Sequence, residues 1–513
     1  MLLDWFLALV PLLVIVVLMV RFHWGAARAG PAGWLIGIAL AVTRFGAGPG
    51  LLVQAQAKAF FLALDVLMIV WGAFLLYRVV EESGAIRLLG EALPHLTNDH
   101  GMQALLIGWA FASFLQGVGG FGVPVVVTAP ILLGLGFPPL LSVLIPSVGH
   151  SWSVTFGSLA SSFQALIAAT GLPGEAMAAS SALLLGLAGI VCGLLVSYLG
   201  DGWAGVRRLA LSAVVLGTVM GAVQFWLATH RLWNIAGFGG GLAGLLVGLL
   251  LARARPRSQR ANLPPADGWS VWLALSGYLA LIVITLVVQL TPPIRAALGR
   301  LVLQLSLPEV VTARGFITPP EDGLRLYPLR HAGALLSLAS LIAYVIFRRA
   351  GWYQPGAVGR ILLGTVRGVT PSSLSIASMV SLAVVMTYAG MTDVLARGLA
   401  QAAGSSFPLV APWIGALGAF VSGSNTSSNL LFAMLQMRTA ELLELSVPWV
   451  LAAQTAGAAI GSVVAPTKVV VGVSSAGQTV EEGDVMRHLL GHTALLTAVI
   501  SLLAWVAIRL FAP

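Results

Sequence analysis

The stretch FVSGSNTSSNLLFAMLQM, residues 420–437, places a run of small polar side chains within an otherwise apolar region. A second stretch, FLQGVGGFGVPVVVTAPILLGLGF at residues 114–137, is broken by glycines in the same way. Their parent segments, 409–446 and 101–137, are longer than the roughly 20 residues that one helical membrane crossing needs. Irregular backbone at membrane depth persists only where protein or a water-filled cavity satisfies its amide groups. We therefore expect each segment to form a re-entrant hairpin.

The rest of the chain is also strongly apolar. Of its 513 residues, 58% are hydrophobic and only 9% are charged, whereas soluble domains carry about 25% charged residues. Apolar runs of crossing length recur throughout, and the N-terminal run resembles a membrane helix more than a cleaved signal. The composition predicts an all-α polytopic membrane protein with about twelve transmembrane helices. We place them near residues 5–22, 31–46, 59–79, 139–158, 181–199, 209–227, 235–252, 269–290, 331–347, 371–390, 447–470 and 491–511.

The two hairpins divide between two halves of the chain. A basic, proline-rich linker at 253–268, expected to be cytoplasmic, separates an N-terminal repeat, 1–252, from a C-terminal repeat, 269–513. Counting crossings makes the hairpins enter from opposite faces, which is typical of inverted-repeat transporters with a site at the membrane midplane. Each hairpin also precedes a crossing interrupted by polar residues, HSWSVTFGS at 150–158 and GSVVAPTKV at 461–469. We therefore predict two inverted repeats.

Several classes of function are disfavoured. The net charge of +9 comes mainly from arginines in short loops, which fits the positive-inside rule and not a nucleic-acid surface. The single cysteine, Cys192, allows no disulfide framework, and the histidines lack metal-ligand spacing. GVGGFG at 117–122 matches a dinucleotide pattern but lacks the strand, helix and acidic residue that the pattern needs. No cofactor or metal is expected.

Lys468 lies in the apolar run VVAPTKVVVG, and Lys58 is the only other lysine in the chain. A charge near the membrane centre costs at least about 2.5 to 3.5 kcal/mol, so it normally has a partner. The carboxylate of an anionic substrate is the first interpretation. A fixed ion pair with Asp65, an acidic residue inside another predicted crossing, is an alternative. Snorkelling of Lys468 to the interface is a third.

Titratable groups inside predicted crossings are also candidates for carrying a coupling proton. These candidates are His150, Asp65 and Lys468. His150 has an unperturbed pKa in the range that suits a proton relay, but a lone buried histidine is as often a structural hydrogen-bonding group. Its neighbours Ser151, Ser153 and Thr155 raise the weight of a binding role.

The hairpins and the two interruptions together define the predicted substrate site. Glycines allow sharp turns and close approach of the backbone to a ligand, and amides at a half-helix N-terminus can receive an anion. The alternative is a purely structural role, in which the serines and threonines mediate packing between helices. The predicted substrate-binding residues are Gln116, Gly119, Gly120, Phe121, Gly122, His150, Ser151, Ser153, Thr155, Ser424, Asn425, Thr426, Ser427, Ser428, Thr467 and Lys468.

The chain resembles the lactate permease family, within the ion transporter superfamily, over nearly its whole length. Four long motifs carry the resemblance: WGAFLLYRVVEESGAI at 71–86, GGFGVPVVVTAPILLGLGF at 119–137, SGSNTSSNLLFAMLQ at 422–436 and EEGDVMRHLLGHT at 481–493. The resemblance implies an inner-membrane carrier of small 2-hydroxymonocarboxylates such as lactate and glycolate, driven by cotransported protons. It also implies a fold of two inverted repeats with paired re-entrant hairpins.

Four positions depart from the family pattern. Gln116 and Asn425 stand where the family typically has acidic residues, His150 stands in place of an asparagine, and Lys468 in place of a serine. If the family acids carry the proton, other groups must carry it here. Alternatively, the lysine suits a different or more acidic organic anion, moved by exchange, by uniport or with another coupling ion.

The sequence thus predicts a secondary active transporter whose partners are a small organic anion, protons and the lipid bilayer. Two rival functions stay open. An intramembrane hydrolase could use a Ser–Lys dyad of Ser462 and Lys468, and an anion channel could be lined by the same two hairpins.

Overall fold

The computed structural model describes residues 2–92, 97–120, 122–253, 268–476 and 480–511. Among these residues, twelve helices are long and apolar enough to cross a membrane. The short strands that accompany them form only two-stranded pairs. The structure confirms an all-α polytopic membrane protein.

Helices of the N-terminal half begin at residue 2 and follow one another with short connections. Several of these helices and of those in the other half carry proline in the first turn, where its missing N–H costs no hydrogen bond. The helices are α1 Leu2–Phe22, α2 Ala26–Thr43, α3 Pro49–Glu82, α4 Ala85–Ala92, α5 His100–Val118, α6 Val123–Gly134, α7 Pro139–His150, α8 Ser161–Thr170, α9 Gly174–Thr229 and α10 Trp233–Arg253.

Helices of the C-terminal half begin at residue 268. The predicted linker 253–268 lies almost entirely outside the described residues, so the division into two halves stays a prediction. The helices are α11 Gly268–Leu290, α12 Pro292–Leu298, α13 Ala332–Arg349, α14 Ala357–Tyr388, α15 Met391–Ala403, α16 Phe407–Ser422, α17 Asn425–Leu442, α18 Val447–Gly461, α19 Pro466–Ser475 and α20 Glu482–Leu510.

The predicted crossings 139–158 and 447–470 each contain the end of an α-helix, at His150 and at Gly461, whereas the division between two other crossings agrees with the prediction. The predicted crossings 181–199 and 209–227 are two helical parts of α9, because its backbone leaves helical angles at Asp201 and Gly202, between them. The predicted crossing 139–158 is helical only as far as His150, where α7 ends.

A small β region connects α12 to α13. Strand β1 (Leu303–Leu307) pairs antiparallel with β4 (Glu321–Leu326), and β2 (Val310–Val311) pairs with β3 (Ile317–Thr318) between them. Lys58 of α3 forms an ion pair with Glu321 of β4, so this nested pair of hairpins is held against the helical bundle.

The same order of elements occurs in both halves. In the N-terminal half the order is α5, a glycine break, α6, α7 and an interruption before α8. In the C-terminal half it is α16, a glycine break, α17, α18 and an interruption before α19. The contacts between the two sets are reciprocal, because α8 packs on α17 while α6 packs on α19, and α9 packs on α18 while α20 packs on α7. A pseudo-two-fold relation would produce this pattern. Inversion of the repeats across the membrane stays a prediction.

Helices α16 and α17 form a tight antiparallel pair. The Ser428 hydroxyl donates to the Gly415 carbonyl, at 2.8 Å. Two turns further along α17, the Gln436 amide donates to the carbonyl of Ala411, which lies one turn earlier in α16, at 2.9 Å. The residue pairs that bond across the two helices thus lie progressively further from Gly423 along the chain, which is the pattern of a helical hairpin. Whether the hairpin enters and leaves by one membrane face stays a prediction.

Close backbone contact between α16 and α18 fixes this hairpin against its neighbour. A methyl group added at Gly457 would lie 2.0 Å from the Pro412 carbonyl oxygen, and one at Gly415 would lie 2.1 Å from that of Gln454. Both obstacles are backbone atoms, which cannot turn aside as a side chain would. Small residues at such contacts are characteristic of helix packing in membranes.

Gly457→Ala should therefore destabilise the protein, because the methyl group must push two helices apart. We expect a loss of about 1 to 3 kcal/mol in the free energy of unfolding, the usual cost of overpacking. Thermal unfolding of detergent-purified protein, followed by size-exclusion chromatography, would measure the change. Gly359→Ala is the matched control, because a methyl group there meets nothing within 4 Å. Equal midpoints for the two variants would contradict the packing.

Candidate functional site

The tip of the α16–α17 hairpin is shaped by one glycine and one capping serine. Gly423 has φ +71°, a left-handed conformation that ends α16 and that glycine adopts at little cost. Ser424 follows in extended conformation, and its hydroxyl oxygen accepts the Ser427 amide N–H at 3.3 Å. This N-cap starts α17 sharply, so its first amides are directed toward the hairpin tip.

A buried polar network joins this hairpin to the first interruption. The Asn425 side-chain amide donates to the Thr155 hydroxyl at 3.0 Å, and the Thr155 and Thr455 hydroxyls lie 3.1 Å apart. The Thr455 hydroxyl also donates to Asn425 Oδ1, at 3.4 Å, closing a triangle. All three residues are buried. The structure thus brings together Thr155 and Asn425, which were predicted from separate motifs.

Helix α8 is attached to α17 by a second set of bonds. The Ser162 hydroxyl lies 3.0 Å from the Thr426 hydroxyl, and the Asn429 side-chain amide donates to the Ser162 carbonyl at 2.9 Å. Asn429 also donates to Thr455, at 2.9 Å. Movement of the hairpin would therefore move or break contacts with α8.

A cavity of about 280 Å³ lies at the hairpin tip. It contains three of the predicted residues on the hairpin, Ser424, Thr426 and Ser427, together with Thr467 of α19. The opposite wall comes from α14 and from the connection between α1 and α2, which the sequence analysis did not include in the site. The lining residues are Gly25, Ala26, Ala27, Val70, Pro371, Ser372, Ser375, Ile376, Ser422, Gly423, Ser424, Thr426, Ser427 and Thr467.

A sequence signal for the α14 wall was present. Pro371 lies inside a helix and is followed by three serines within four positions, a combination that marks polar, distorted backbone in a membrane segment. The Ser375 hydroxyl lies 3.4 Å from that of Ser427. This contact closes the wall of the cavity against the hairpin.

Lys468 follows Thr467 in α19 but is not among the residues that line the cavity. Its ammonium group donates to the Ser462 hydroxyl at 3.0 Å, and among the described residues it has no carboxylate partner. Asp65 is bonded elsewhere, with His331 at 3.0 Å and Gln164 at 2.6 Å. The alternative of a fixed Lys468–Asp65 pair is therefore wrong.

His150 is almost completely buried and has one unsatisfied nitrogen. Its Nδ1 lies 2.6 Å from the Pro146 carbonyl oxygen and therefore carries the ring proton in the neutral form. Its Nε2 is buried without a hydrogen-bond partner among the described residues. His150 lies within electrostatic reach of Lys468, so two positive charges at these positions would repel each other.

Three predicted serines donate to backbone carbonyls, two within their own segment and Ser428 across the α16–α17 hairpin. The hydroxyls of Ser151, Ser153 and Ser428 donate to the carbonyls of Val148, His150 and Gly415, respectively. Such bonds are typical of serine inside membrane helices. A binding role for these three residues stays a prediction.

The tip of the first hairpin contacts the first interruption. Gly120 and Gly122 have φ +60° and +89°, and a methyl group on Gly120 would collide with the Ser158 hydroxyl oxygen at 1.7 Å. Gln116 is buried nearby, against Gly157, and its Oε1 has no partner among the described residues. The ring of Tyr77 adjoins Gly119.

Phe121 of the predicted site lies outside the described residues. Gln116 and the three glycines of the first hairpin thus lie together at a second location, and none of them lines the 280 Å³ cavity. Ser158, which the sequence analysis did not include among the site residues, is the last residue of the polar interruption 150–158 that it identified.

Comparison with known proteins shows which family has this architecture. The family model described as L-lactate permease matches residues 4–511. The chain belongs to the L-lactate permease family. Membership makes it a membrane transporter and not an enzyme, and its twelve apolar helices and bacterial relatives fit a multi-pass protein of the bacterial inner membrane.

Individual relatives are distant but cover almost the full length. The glycolate permease GlcA of Escherichia coli K12 is 25% identical over 97% of this chain and 94% of that protein. The L-lactate permease of the same strain is 25% identical over 92% of this chain and 90% of that protein. The L-lactate permease of Bacillus subtilis is 26% identical over 96% and 94%. Among solved structures, the YdaH transporter of Alcanivorax borkumensis is 16% identical, with a TM-score of 0.49 over 88% of this chain and 86% of that one.

The hydrolase alternative is excluded because the family and its relatives are permeases. Ser462 and Lys468 are in contact, but the Ser462 hydroxyl donates to the Ala459 carbonyl at 2.9 Å and accepts from the lysine. The contact holds the ammonium group near the interruption.

Thiol labelling should distinguish the cavity wall of this permease from the interior of its hairpin. In Thr467→Cys the new thiol lines the cavity and is exposed, so a small polar methanethiosulfonate should modify it about tenfold faster than Ser428→Cys, because exposure controls access. Ser428 is the matched control, since it is fully buried between α16 and α17. The native Cys192 is also buried and should add no background. Equal labelling rates would show that the cavity is closed to water.

Proposed function

We propose that this protein is a proton-coupled transporter of small 2-hydroxymonocarboxylates, such as lactate and glycolate. Relatives that cover more than nine-tenths of the chain carry the names L-lactate permease and glycolate permease, which supports this class of substrate. The observation that carries the proposal is the 280 Å³ cavity at the start of α17, which is lined with hydroxyl groups.

The N-terminus of α17 supplies donors for the substrate carboxylate. The first amides of a helix have no partner within it, and the helix dipole favours an anion at that end. Ser424 accepts the Ser427 N–H, so the amides of Asn425 and Thr426 are the ones that face a ligand. The hydroxyls of Ser424, Ser427 and Ser375 line the same space and are suited to the 2-hydroxyl group.

Lys468 supplies the second positive element. Its only bond in the described structure is to a neutral hydroxyl, which offsets little of the cost of removing an ammonium group from water. Thr467 places this part of α19 at the cavity. A substrate carboxylate would provide the missing negative charge, so binding and charge compensation would occur in one step.

Alternating access then requires the hairpin to change its partners. The cavity is bounded by the hairpin on one side and by α14 on the other, and the bonds from the hairpin to Thr155 and Ser162 hold it in its present position. Exchange of these contacts would open the site toward the other face, as in transporters built from two repeats. The proton is carried in parallel by a titratable group inside the bundle.

The neutral residues Gln116 and Asn425 and the cation Lys468 also support a second candidate, a more acidic anion moved by exchange. An ammonium group and a helix N-terminus together could receive two carboxylates. The transport assay below therefore includes tartronate, a small 2-hydroxy acid with two carboxylates.

Uptake into proteoliposomes tests the proposal. Wild-type protein should accumulate labelled lactate or glycolate when an inward proton gradient is imposed. In Lys468→Ala the apparent KM should rise about 10- to 100-fold, corresponding to loss of a charged hydrogen bond of roughly 1.5 to 3 kcal/mol, while Lys468→Arg should recover part of the affinity.

Arg397→Ala is the control, because this arginine is exposed and pairs only with Asp393 on the surface. It should change the KM less than twofold. If wild type moves tartronate but neither monocarboxylate, the substrate class is wrong. Gradient-driven uptake that is unchanged in Lys468→Ala would remove the lysine from the site.

A further inference from the structure

A carboxylate and an imidazole are paired inside the bundle, apart from the cavity at the hairpin tip. Asp65 lies midway along α3, and its Oδ1 is 3.0 Å from Nε2 of His331. The two side chains are 19% and 10% exposed. Gln164 of α8 donates its side-chain amide to the other oxygen, Oδ2, at 2.6 Å. Both oxygens of Asp65 therefore have a donor.

The hydrogen bonds of His331 fix where its proton lies. His331 precedes α13 as its N-cap, and its Nδ1 accepts the Gly333 amide N–H at 3.2 Å. An accepting Nδ1 carries no proton, so the ring proton is on Nε2 and is donated to Asp65. The pair thus consists of a neutral imidazole and a carboxylate, and the carboxylate can bind one more proton.

We propose that Asp65 binds the co-transported proton, on Oδ2, and that α8 transmits this event to the α16–α17 hairpin. The inference rests on the proposed proton-coupled transport and names the site of coupling. A proton on Oδ2 converts this oxygen from an acceptor into a donor. Gln164 then cannot donate to it and must turn its amide to offer Oε1 or leave. The bond between α3 and α8 is thus remade whenever the proton binds.

Helix α8 connects this change directly to the hairpin. Ser162, two residues before Gln164, bonds the Thr426 hydroxyl at 3.0 Å, and its carbonyl accepts from Asn429 at 2.9 Å. Thr426 also lines the substrate cavity. One short helix therefore contacts the proton site at one residue and the substrate hairpin at another, so proton binding can alter the substrate site without any contact between proton and substrate.

Space for water reaches the pair. A cavity of about 590 Å³ contains Asp65 and Gln164 in its wall and extends to the β region and α17, and a cavity of about 210 Å³ adjoins it at His331. Both are many times larger than the volume that one water molecule needs. Protons can therefore arrive through water and need no chain of side chains.

Several charged groups face the pair, and two of the basic ones have acidic partners of their own. On α3 itself Lys58 pairs with Glu321 of β4, and near the start of α10 Arg231 pairs with Glu175. Arg330, in the segment before α13, stacks on Tyr327 at 4.3 Å. The titratable and charged residues that line the two cavities, besides Asp65 and His331, are Lys58, Arg231, Glu321, Arg325, Tyr327, Arg330, Tyr388 and Arg438.

Infrared titration of the purified wild-type protein tests proton binding without any substrate. The carbonyl stretch of a protonated carboxyl group should appear as the pH is lowered. This band should be absent in Asp65→Asn and present in the control Asp393→Asn, whose carboxylate lies at the surface. A band that persists unchanged in Asp65→Asn would overturn the assignment.

Transport by the same variants tests the coupling. Asp65→Asn resembles the protonated carboxyl in shape and charge, so it should retain exchange of labelled for unlabelled lactate within about threefold but lose accumulation driven by a proton gradient. Gln164→Ala keeps the carboxylate and cuts the link to α8, so it should keep the infrared band and exchange while accumulation falls. Asp393→Asn should accumulate lactate as wild type does.

Each other outcome counts against the proposal. Normal accumulation by Asp65→Asn, or loss of exchange in a variant that remains monodisperse, would place Asp65 outside coupling. If Asp65→Asn does not fold, Gln164→Ala decides, because unchanged accumulation there removes α8 from the pathway. Failure of wild type to exchange lactate or glycolate would overturn the proposed substrate and leave the infrared test of the proton site intact.

Discussion

The structure depends on the need to satisfy polar backbone and side-chain groups where two helices are broken inside an apolar bundle. An unsatisfied buried polar group costs roughly 1 to 3 kcal/mol, and each interruption exposes several. The bonds among Asn425, Thr155 and Thr455 meet this cost by joining the hairpin to both interrupted segments. The same bonds hold the hairpin that lines the 280 Å³ cavity, so the stability of the bundle and the geometry of this cavity have one origin.

Charged side chains are subject to the same constraint, because each needs a partner where water is excluded. Arg208, for example, pairs with Asp201 near the kink of α9, and Lys58 pairs with Glu321 of the β region. Lys468 differs, because its partner is a hydroxyl. A charge whose compensation comes from the substrate can distinguish an occupied site from an empty one, which is a property that a transporter needs.

Two of the four departures from the family pattern acquire a structural meaning. Asn425 offers both a donor and an acceptor, and it uses both, toward Thr155 and from Thr455; an ionised aspartate would lack the donor. His150 is buried, and its Nε2 has no hydrogen-bond partner among the described residues. The sequence analysis left three candidates for the proton-binding group, and Asp65 is the one that we propose.

The sequence by itself determined the class of protein, the number of crossings and the places where they break, because apolar length and clusters of glycine and serine are local properties. It also identified Asn425, Thr155, Thr467 and Lys468 as polar residues in unusual positions. Only the tertiary structure decided which of them meet. Residues 264 and 270 positions apart are brought into contact where α8 and the segment before it pack on α17, and no local pattern specifies that contact. The α14 wall of the cavity, the partner of Asp65 and the partner of Lys468 were fixed in the same way, since each depends on how helices distant in sequence approach one another.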